Sequence, residues 1–213
     1  MPGQVPHNPK IHRIVHWQNV EYILQHGMFT RGHAQTDPNY VEIGHTQLIG
    51  QRHTYPIPDF PLAGTLGECV PFYFGTHSPM LYAIMKGATG VQQRPQDEIV
   101  YVNSRVNSIV NYPLPFFFTD QHAKAALANG YNNVADLNAI DWNVVLSRHW
   151  ANTATDLNKR DRKQAEFLVM HHVPPVCILE IVVKTPQRQA QLQAIAQRLN
   201  SNIPIIVDST CYF

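Results

Sequence analysis

Apolar residues cluster in short runs along this chain, and the runs predict strands separated by a few helices. The predicted strands cover residues 11–17, 70–75, 98–103, 116–119, 165–173, 177–184 and 203–207. Capping residues followed by apolar positions at helical spacing predict helices over residues 19–26, 78–86, 123–128 and 186–199, with a short helical piece from Ser104. Strands distributed among helices in this way favour an α+β fold.

Two stretches lack a clear pattern. Residues 28–68 are rich in Gly, Pro, Thr and His, and such long stretches in a domain are usually functional or mobile. Residues 130–163 are polar and only weakly periodic. Neither resembles a linker, so we expect one domain over residues 1–213.

Composition excludes several classes of protein. Charged residues make up 15% of the chain, below the usual quarter, and the formal net charge of +1 gives no overall attraction to nucleic acid. The three cysteines are widely spaced, which favours a reducing cytoplasm over a disulfide framework. We find no signal peptide and no apolar run near the roughly 20 residues that span a bilayer.

The most informative residue is Glu166, which opens the apolar run of residues 167–170. Burial of an ionised carboxylate costs several kcal/mol unless the group is paired or used. Four basic residues precede it, namely Lys159, Arg160, Arg162 and Lys163. A carboxylate in this setting suggests a site that handles a cation-like centre.

Four segments together resemble the DarT family, the toxin DNA ADP-ribosyltransferases. They are Ile-His-Arg-Ile-Val-His at 11–16 with the helix that follows, Ile-Gly-Gln-Arg at 49–52 with Val-Pro-Phe-Tyr-Phe at 70–74, Phe-Phe-Thr-Asp-Gln-His at 117–122, and Arg-Lys-Gln-Ala-Glu at 162–166. The resemblance extends from about residue 9 to residue 210. It implies an ADP-ribosyltransferase-like fold in which two small sheets form a central NAD cleft with peripheral helices.

The resemblance also implies roles for individual residues. The catalytic residues would be Glu166, Arg52 and His122, with Arg31 as the fallback for the arginine. The NAD-binding residues would be Arg13, His16, Asn19, Arg52, Tyr73, Met80 and Tyr82. The DNA-binding residues would be Lys159, Arg160, Arg162 and Lys163. The implied reaction moves ADP-ribose from NAD to a base in single-stranded DNA, most readily thymine, and the expected partner is a macrodomain antitoxin that removes the group.

Other functions remain open at this point. Gln164, two residues before Glu166, is also compatible with a protein or RNA acceptor, and an inert NAD-binding or nucleic-acid-binding module is a further alternative. A metal site at His171, His172 and Cys177 is disfavoured because adjacent strand residues point to opposite faces. A cysteine hydrolase using Cys69 lacks a local signature, and the chain has no glycine-rich dinucleotide or phosphate-binding motif.

Overall fold

The computed structural model describes residues 3–57 and 64–213. The strands in these residues are β1 (Lys10–His16), β2 (Met28–Phe29), β3 (Cys69–Tyr73), β4 (Ile99–Arg105), β5 (Phe116–Thr119), β6 (Gly130–Tyr131), β7 (Glu166–Met170), β8 (His172–Val173), β9 (Glu180–Val183) and β10 (Ile205–Val207). The helices are α1 (Val20–His26), α2 (Thr46–Arg52), α3 (Pro79–Lys86), α4 (Val106–Asn111), α5 (Trp142–Leu146), α6 (Lys159–Arg162) and α7 (Pro186–Arg198). This mixture confirms the α+β class.

The predicted strands are all present, with ends shifted by a few residues. The strand predicted over residues 165–173 is two strands, because His171 has a positive φ of 60° that breaks it between β7 and β8. Helices α2 and α5 lie in the two stretches for which no element is predicted. Part of the first stretch, residues 58–63, lies outside the described residues.

The helix predicted over residues 123–128 is wrong. The Thr119 hydroxyl donates to the carbonyl of Gln121 at 2.7 Å, and the Gln121 amide donates to the carbonyl of Leu127 at 2.5 Å. These side-chain bonds fold the segment into successive turns. Polar side chains of this kind offer the backbone an alternative to helical hydrogen bonds.

Eight of the strands form one sheet in the order β10-β9-β4-β1-β3-β7-β5-β6, and β2 and β8 form a separate two-stranded sheet. Strands β1 and β3 are joined through a single residue pair, His12 with Tyr73. By contrast, β1 pairs with β4 along its whole length. The expected two small sheets are therefore two halves of one sheet, joined at that pair.

The two faces of the sheet are covered differently. One face packs on α1 and α7 and forms the largest apolar cluster. The other face carries two smaller clusters, one under α3 and one around Leu66 and Leu168. Antiparallel register places Glu166 opposite Tyr73 and Tyr73 opposite His12, so these three residues share that second face. Polar groups thus lie between two apolar clusters.

Within residues 3–57 and 64–213, no helix combines the length and the apolar character that a membrane crossing requires.

Candidate active site

Glu166 is fixed by strands on both sides. Strand β7 lies between β3 and β5, and the Glu166 amide is 3.3 Å from the hydroxyl of Thr119 at the end of β5. The side chain is only 3% exposed. A carboxylate that is held this firmly keeps one orientation toward the space above the sheet.

Arg52 binds this carboxylate through two hydrogen bonds. Its Nη2 donates to Oε2 at 2.8 Å and its Nη1 donates to Oε1 at 3.2 Å, which is the bidentate geometry that guanidinium favours. The Ala123 amide donates to Oε1 at 3.1 Å. Helix α2 presents Arg52 from its last turn, and the ring of His45 accepts from the Leu48 amide at the start of that helix.

These partners set the protonation of the pair. Burial alone would raise the pKa of Glu166, but Arg52, His122 and the Ala123 amide outweigh burial and hold that pKa below its usual value. Burial would likewise lower the pKa of Arg52, yet the Glu166 charge raises it overall. At neutral pH the pair is therefore ionised. The hydrogen bonds from Arg52 and the Ala123 amide favour the ionised carboxylate and so make Glu166 a weak base.

His122 lies beside the same carboxylate, with Nε2 at 3.9 Å from Oε1 of Glu166. Its Nδ1 accepts from the Lys124 amide at 3.2 Å, so the neutral ring carries its proton on Nε2, facing the carboxylate. Burial lowers the pKa of His122, and Arg52 lowers it further, against the opposing effect of Glu166. The ring is consequently neutral at physiological pH and presents an N–H donor rather than a charge.

A cavity opens above these three groups. It is lined by Glu166, Arg52 and His122 together with the predicted NAD-binding residues Arg13, Tyr73 and Met80. Arg31 and Lys124 add two further cations, whereas Glu42 is the one other carboxylate among the lining residues of the described chain. An excess of positive charge in a concave, partly apolar space suits a ligand that carries phosphates.

The Arg13 side chain lies between the two half-sheets, where β1 and β3 meet. Its Nη1 donates at 3.0 Å to the carbonyl of Pro71 in β3, at a position where β1 and β3 make no backbone pair. This side-chain hydrogen bond links β1 to β3 where no backbone hydrogen bond does. Arg13 lines both the main cavity and a smaller adjoining pocket.

Two predicted NAD contacts lie elsewhere. His16 faces Glu98, with Nε2 at 3.4 Å from its carboxylate, and it is buried at the end of β1 outside the cavity lining. Asn19 lines only the smaller pocket, and its side-chain amide exchanges two hydrogen bonds with the backbone of Val41. Asn19 therefore holds the segment around Tyr40 in place, and its side chain does not cap α1.

Tyr82 is a third predicted NAD-binding residue that lies outside the cavity lining. It shares α3 with Met80 but does not line the cavity, because the two side chains are two residues apart on the helix and project to different sides. Its ring is 39% exposed and contacts Trp150 and Phe213 instead.

The basic segment before β7 is not uniform. Lys163 is only 2% exposed, and its Nζ donates to the carbonyls of Val145 and Ser147 at 2.7 and 2.8 Å. Burial lowers the pKa of Lys163 to about 7. Lys163 therefore anchors the segment to the end of α5, and its ammonium is not exposed for the DNA contact that the sequence predicts.

The other basic residues differ again. Arg162 forms ion pairs with Asp156 at 2.6 Å and with Asp141 at 3.5 Å. Lys159 and Arg160 have no carboxylate partner among the described residues. Of the four predicted DNA-binding residues, these two retain charges that a phosphate backbone can neutralise.

Sequence reasoning missed three contributors to the site. Ala123 acts through its backbone amide, which no side-chain pattern can reveal. Lys124 and Tyr40 line the cavity but lie in segments without a motif. The one available signal for Lys124 is its position two residues after His122.

Other chemistries find little support in the described part of the chain. No group of three His, Cys, Asp or Glu side chains there is arranged to hold a metal ion. Cys69 lines the cavity, but burial and the nearby Glu166 charge raise its pKa despite Arg52, so it is a poor nucleophile at neutral pH.

Known proteins provide an independent comparison. Residues 12–213 match the family described as DarT, ssDNA thymidine ADP-ribosyltransferase. A DNA ADP-ribosyl transferase of Escherichia coli O127:H6 (strain E2348/69 / EPEC) is 34% identical over 208 residues, which cover 98% of this chain and 95% of the relative.

Solved structures agree with this match. The structure of Thermus sp. 2.9 DarT in complex with ADP-ribosylated ssDNA has a TM-score of 0.91 and 29% sequence identity, and the match covers 100% of both chains. The same Thermus protein in complex with NAD+ has a TM-score of 0.84 and 28% identity, over 99% of this chain and 100% of that one.

Proposed function

The chain belongs to the DarT family of ssDNA thymidine ADP-ribosyltransferases and is an NAD-dependent DNA ADP-ribosyltransferase; we propose that its reaction takes place in the cavity around Glu166. The observation that carries this proposal is the buried Glu166 carboxylate, held by Arg52 and flanked by His122 at the base of a cationic cavity. The acceptor is a thymine base in single-stranded DNA.

Glu166 acts on the donor. The bond between nicotinamide and its ribose breaks with the build-up of positive charge on the ribose, and a fixed carboxylate stabilises that charge. The same carboxylate accepts a hydrogen bond from a ribose hydroxyl. Because it is already ionised and buried in its place, it needs little reorganisation as the charge develops.

Arg52 acts on the acceptor. Two of its five N–H groups are bonded to Glu166, which also balances its charge, so Arg52 is less suited to hold the diphosphate of NAD than an arginine without an ion pair is. We assign the diphosphate to the other cations of the cavity, chiefly Arg31, which forms no ion pair within the described residues. Arg52 instead favours the anionic form of a thymine that loses its N3 proton.

The proton balance is consistent with Glu166 acting on the NAD donor and Arg52 acting on the thymine acceptor. Thymine N3 forms the new bond to the ribose carbon and loses its proton, while nicotinamide leaves with the electrons of the broken bond. The proton passes to Glu166, directly or through water, and because this carboxylate is a weak base the transfer depends on Arg52, which favours the thymine anion. A neutral His122 then orients the base or the carboxylate by donating from Nε2.

Radiolabelled NAD tests the function directly. The purified protein is offered a thymine-containing single strand, the same strand in a duplex, RNA and cell-extract protein in parallel reactions. We expect label on the single strand alone, because pairing hides N3 in the duplex. Oligonucleotides that lack thymine are the matched control and should remain unlabelled.

Each other result has a defined meaning. Label on protein or RNA would retain the transferase chemistry and exclude the DNA acceptor. Label on the thymine-free strand would assign another base. An absence of label on every acceptor would contradict the assignment of the cavity as an active site.

We further propose that the protein acts in the cytoplasm as the toxin of a toxin–antitoxin pair. The free cysteines Cys69, Cys177 and Cys211 support a reducing compartment. The partner expected from the family is a macrodomain that removes ADP-ribose from DNA. Expression of the chain alone should arrest growth, and co-expression of a macrodomain ADP-ribose hydrolase should restore it; arrest that persists would contradict the pairing.

A further inference from the structure

A partly exposed group of three aromatic rings lies outside the cavity. Tyr82 is its centre, with the ring of Trp150 at 5.8 Å and the ring of Phe213 at 5.3 Å, both edge to face. The Tyr82 ring is 39% exposed, and the other two side chains are half-buried. Together these three residues form what we call the aromatic platform.

Positive charge borders the platform. The Lys86 ammonium lies 5.7 Å from the centre of the Tyr82 ring. Arg148, two residues before Trp150, is exposed and is tied to the backbone carbonyl of Tyr212 at 3.4 Å. Neither cation forms an ion pair with a carboxylate in the described residues, so both charges are open to an anionic partner.

The platform is connected to the active site from two sides. Helix α3 presents Met80 to the cavity and Tyr82 to the platform, within one turn. The second connection is Lys163, three residues before Glu166, whose ammonium binds the carbonyl of Ser147. That bond fixes the start of the loop that carries Trp150.

We propose that the aromatic platform stacks an unpaired nucleotide that flanks the base being modified in single-stranded DNA. This inference rests on the proposed function, since it assigns part of the same substrate. Surfaces that bind single strands combine aromatic faces, on which bases stack, with basic groups that follow the phosphates. The platform supplies both within reach of the cavity wall.

The same chemistry explains why the platform favours nucleic acid over a protein partner. A protein-binding patch of this size is usually more apolar at its centre and depleted of charge. Here the central ring lies beside an ammonium group, and a guanidinium borders the cluster. A protein that occupied the platform would have to pair or desolvate both cations.

Kinetics with oligonucleotides of two lengths test the proposal. Trp150→Ala and Tyr82→Ala should each raise the KM for a strand of about ten nucleotides roughly tenfold, as the loss of one stacked base predicts. The kcat and the KM for NAD should stay unchanged. Trp150→Phe should restore most of the affinity, and Tyr112→Ala, which removes an exposed tyrosine elsewhere, is the matched control.

A minimal oligonucleotide, too short to reach the platform, separates stacking from a general structural effect. All platform variants should use it as well as the wild type does. An equal loss with short and long strands, or a change in the KM for NAD, would overturn the proposal. Unchanged kinetics in Trp150→Ala with both strands would overturn it as well and leave the platform to a protein partner.

Tryptophan fluorescence provides a test that does not depend on catalysis. Of the three tryptophans, Trp142 is buried and bonded to the Leu137 carbonyl, and the half-buried Trp17 is covered by the Arg188 guanidinium. Trp150 is therefore expected to supply most of the quenching by a bound strand. A strand without thymine should also quench the wild type, and Trp150→Phe should lose that signal. Quenching without transfer would retain the proposed platform and contradict the proposed function. Transfer without quenching would retain the function and contradict the platform.

Discussion

The base of the cavity and the basic segment before β7 both contain charged residues, yet the structure treats them in opposite ways. At the base, the buried Glu166 and the half-buried Arg52 neutralise each other through two hydrogen bonds. In the segment, charges range from the fully buried Lys163 to the unpaired Lys159 and Arg160. A run of charged residues in the sequence therefore does not indicate which of them are buried. A single carboxylate at the start of an apolar strand does indicate a buried charge.

The largest expected effect comes from removing the carboxylate at the base. Glu166→Gln should reduce transfer at least about a thousandfold, because the charge that stabilises the developing cation is lost. The amide keeps a similar shape and can still accept from Ala123, so the fold should persist. Labelled NAD and a thymine-containing single strand measure the rate, and circular dichroism reports the fold. Transfer near the wild-type rate would remove Glu166 from the mechanism.

The two arginines of the cavity allow a sharper division within the same region. Arg52→Ala should reduce kcat about a hundredfold, because one charged partner of the transition state is lost. Arg31→Ala should mainly raise the KM for NAD, because Arg31 lies in the cavity lining without an ion-pair partner in the described chain. Steady-state kinetics with varied NAD distinguish the two. If the effects were exchanged, the acceptor role would move to Arg31.

Lys163 tests the buried side of the basic segment. Lys163→Ala should lower the free energy of unfolding by about 2 kcal/mol, since it leaves the carbonyls of Val145 and Ser147 without their donor. Arg160→Ala, at an exposed position of the same segment, is the control and should change stability little. Urea denaturation measures both. Equal stability of the two variants would show that the buried bonds of Lys163 do not stabilise the fold, and a DNA-binding role for Lys163 would be favoured again.

The smallest expected effect belongs to the exposed side of that segment. Arg160→Ala should weaken binding of a single strand severalfold and reduce the slope of log affinity against log salt by about one unit. Arg162→Ala should change the slope less, because Asp156 and Asp141 already pair its guanidinium. Binding titrations at several salt concentrations provide the comparison. An unchanged slope in both variants would show that the segment does not contact phosphate.

Much of the fold could be predicted from the sequence because its strands are strongly apolar and bounded by turn residues. Strand β5 and helix α3 lie where the pattern predicted them. Ser78 is the N-cap of α3, and Pro79 is its first residue. The helix expected after β5 is absent because side-chain hydrogen bonds to the backbone fold that segment into turns. Such competition depends on tertiary contacts that local pattern does not contain.

The site shows the same limit. Glu166, Arg52 and His122 come together from distant segments, and resemblance to a family located all three. His16 and Tyr82, which the resemblance also assigned to NAD, lie outside the cavity lining, since the direction of a side chain along a strand or around a helix depends on register and packing. The Ala123 amide was invisible for a different reason, because any residue would supply it.

The pairing of β7 has a consequence for how the protein acquires activity. This strand, which carries the carboxylate, is paired on one side with β3, where Cys69 lies opposite Met170, and on the other side with β5. Such pairing of distant segments forms late in folding, after long loops have closed. During synthesis the N-terminal segments emerge first. A nascent chain that ends before β7 lacks Glu166 and thus has no functional centre.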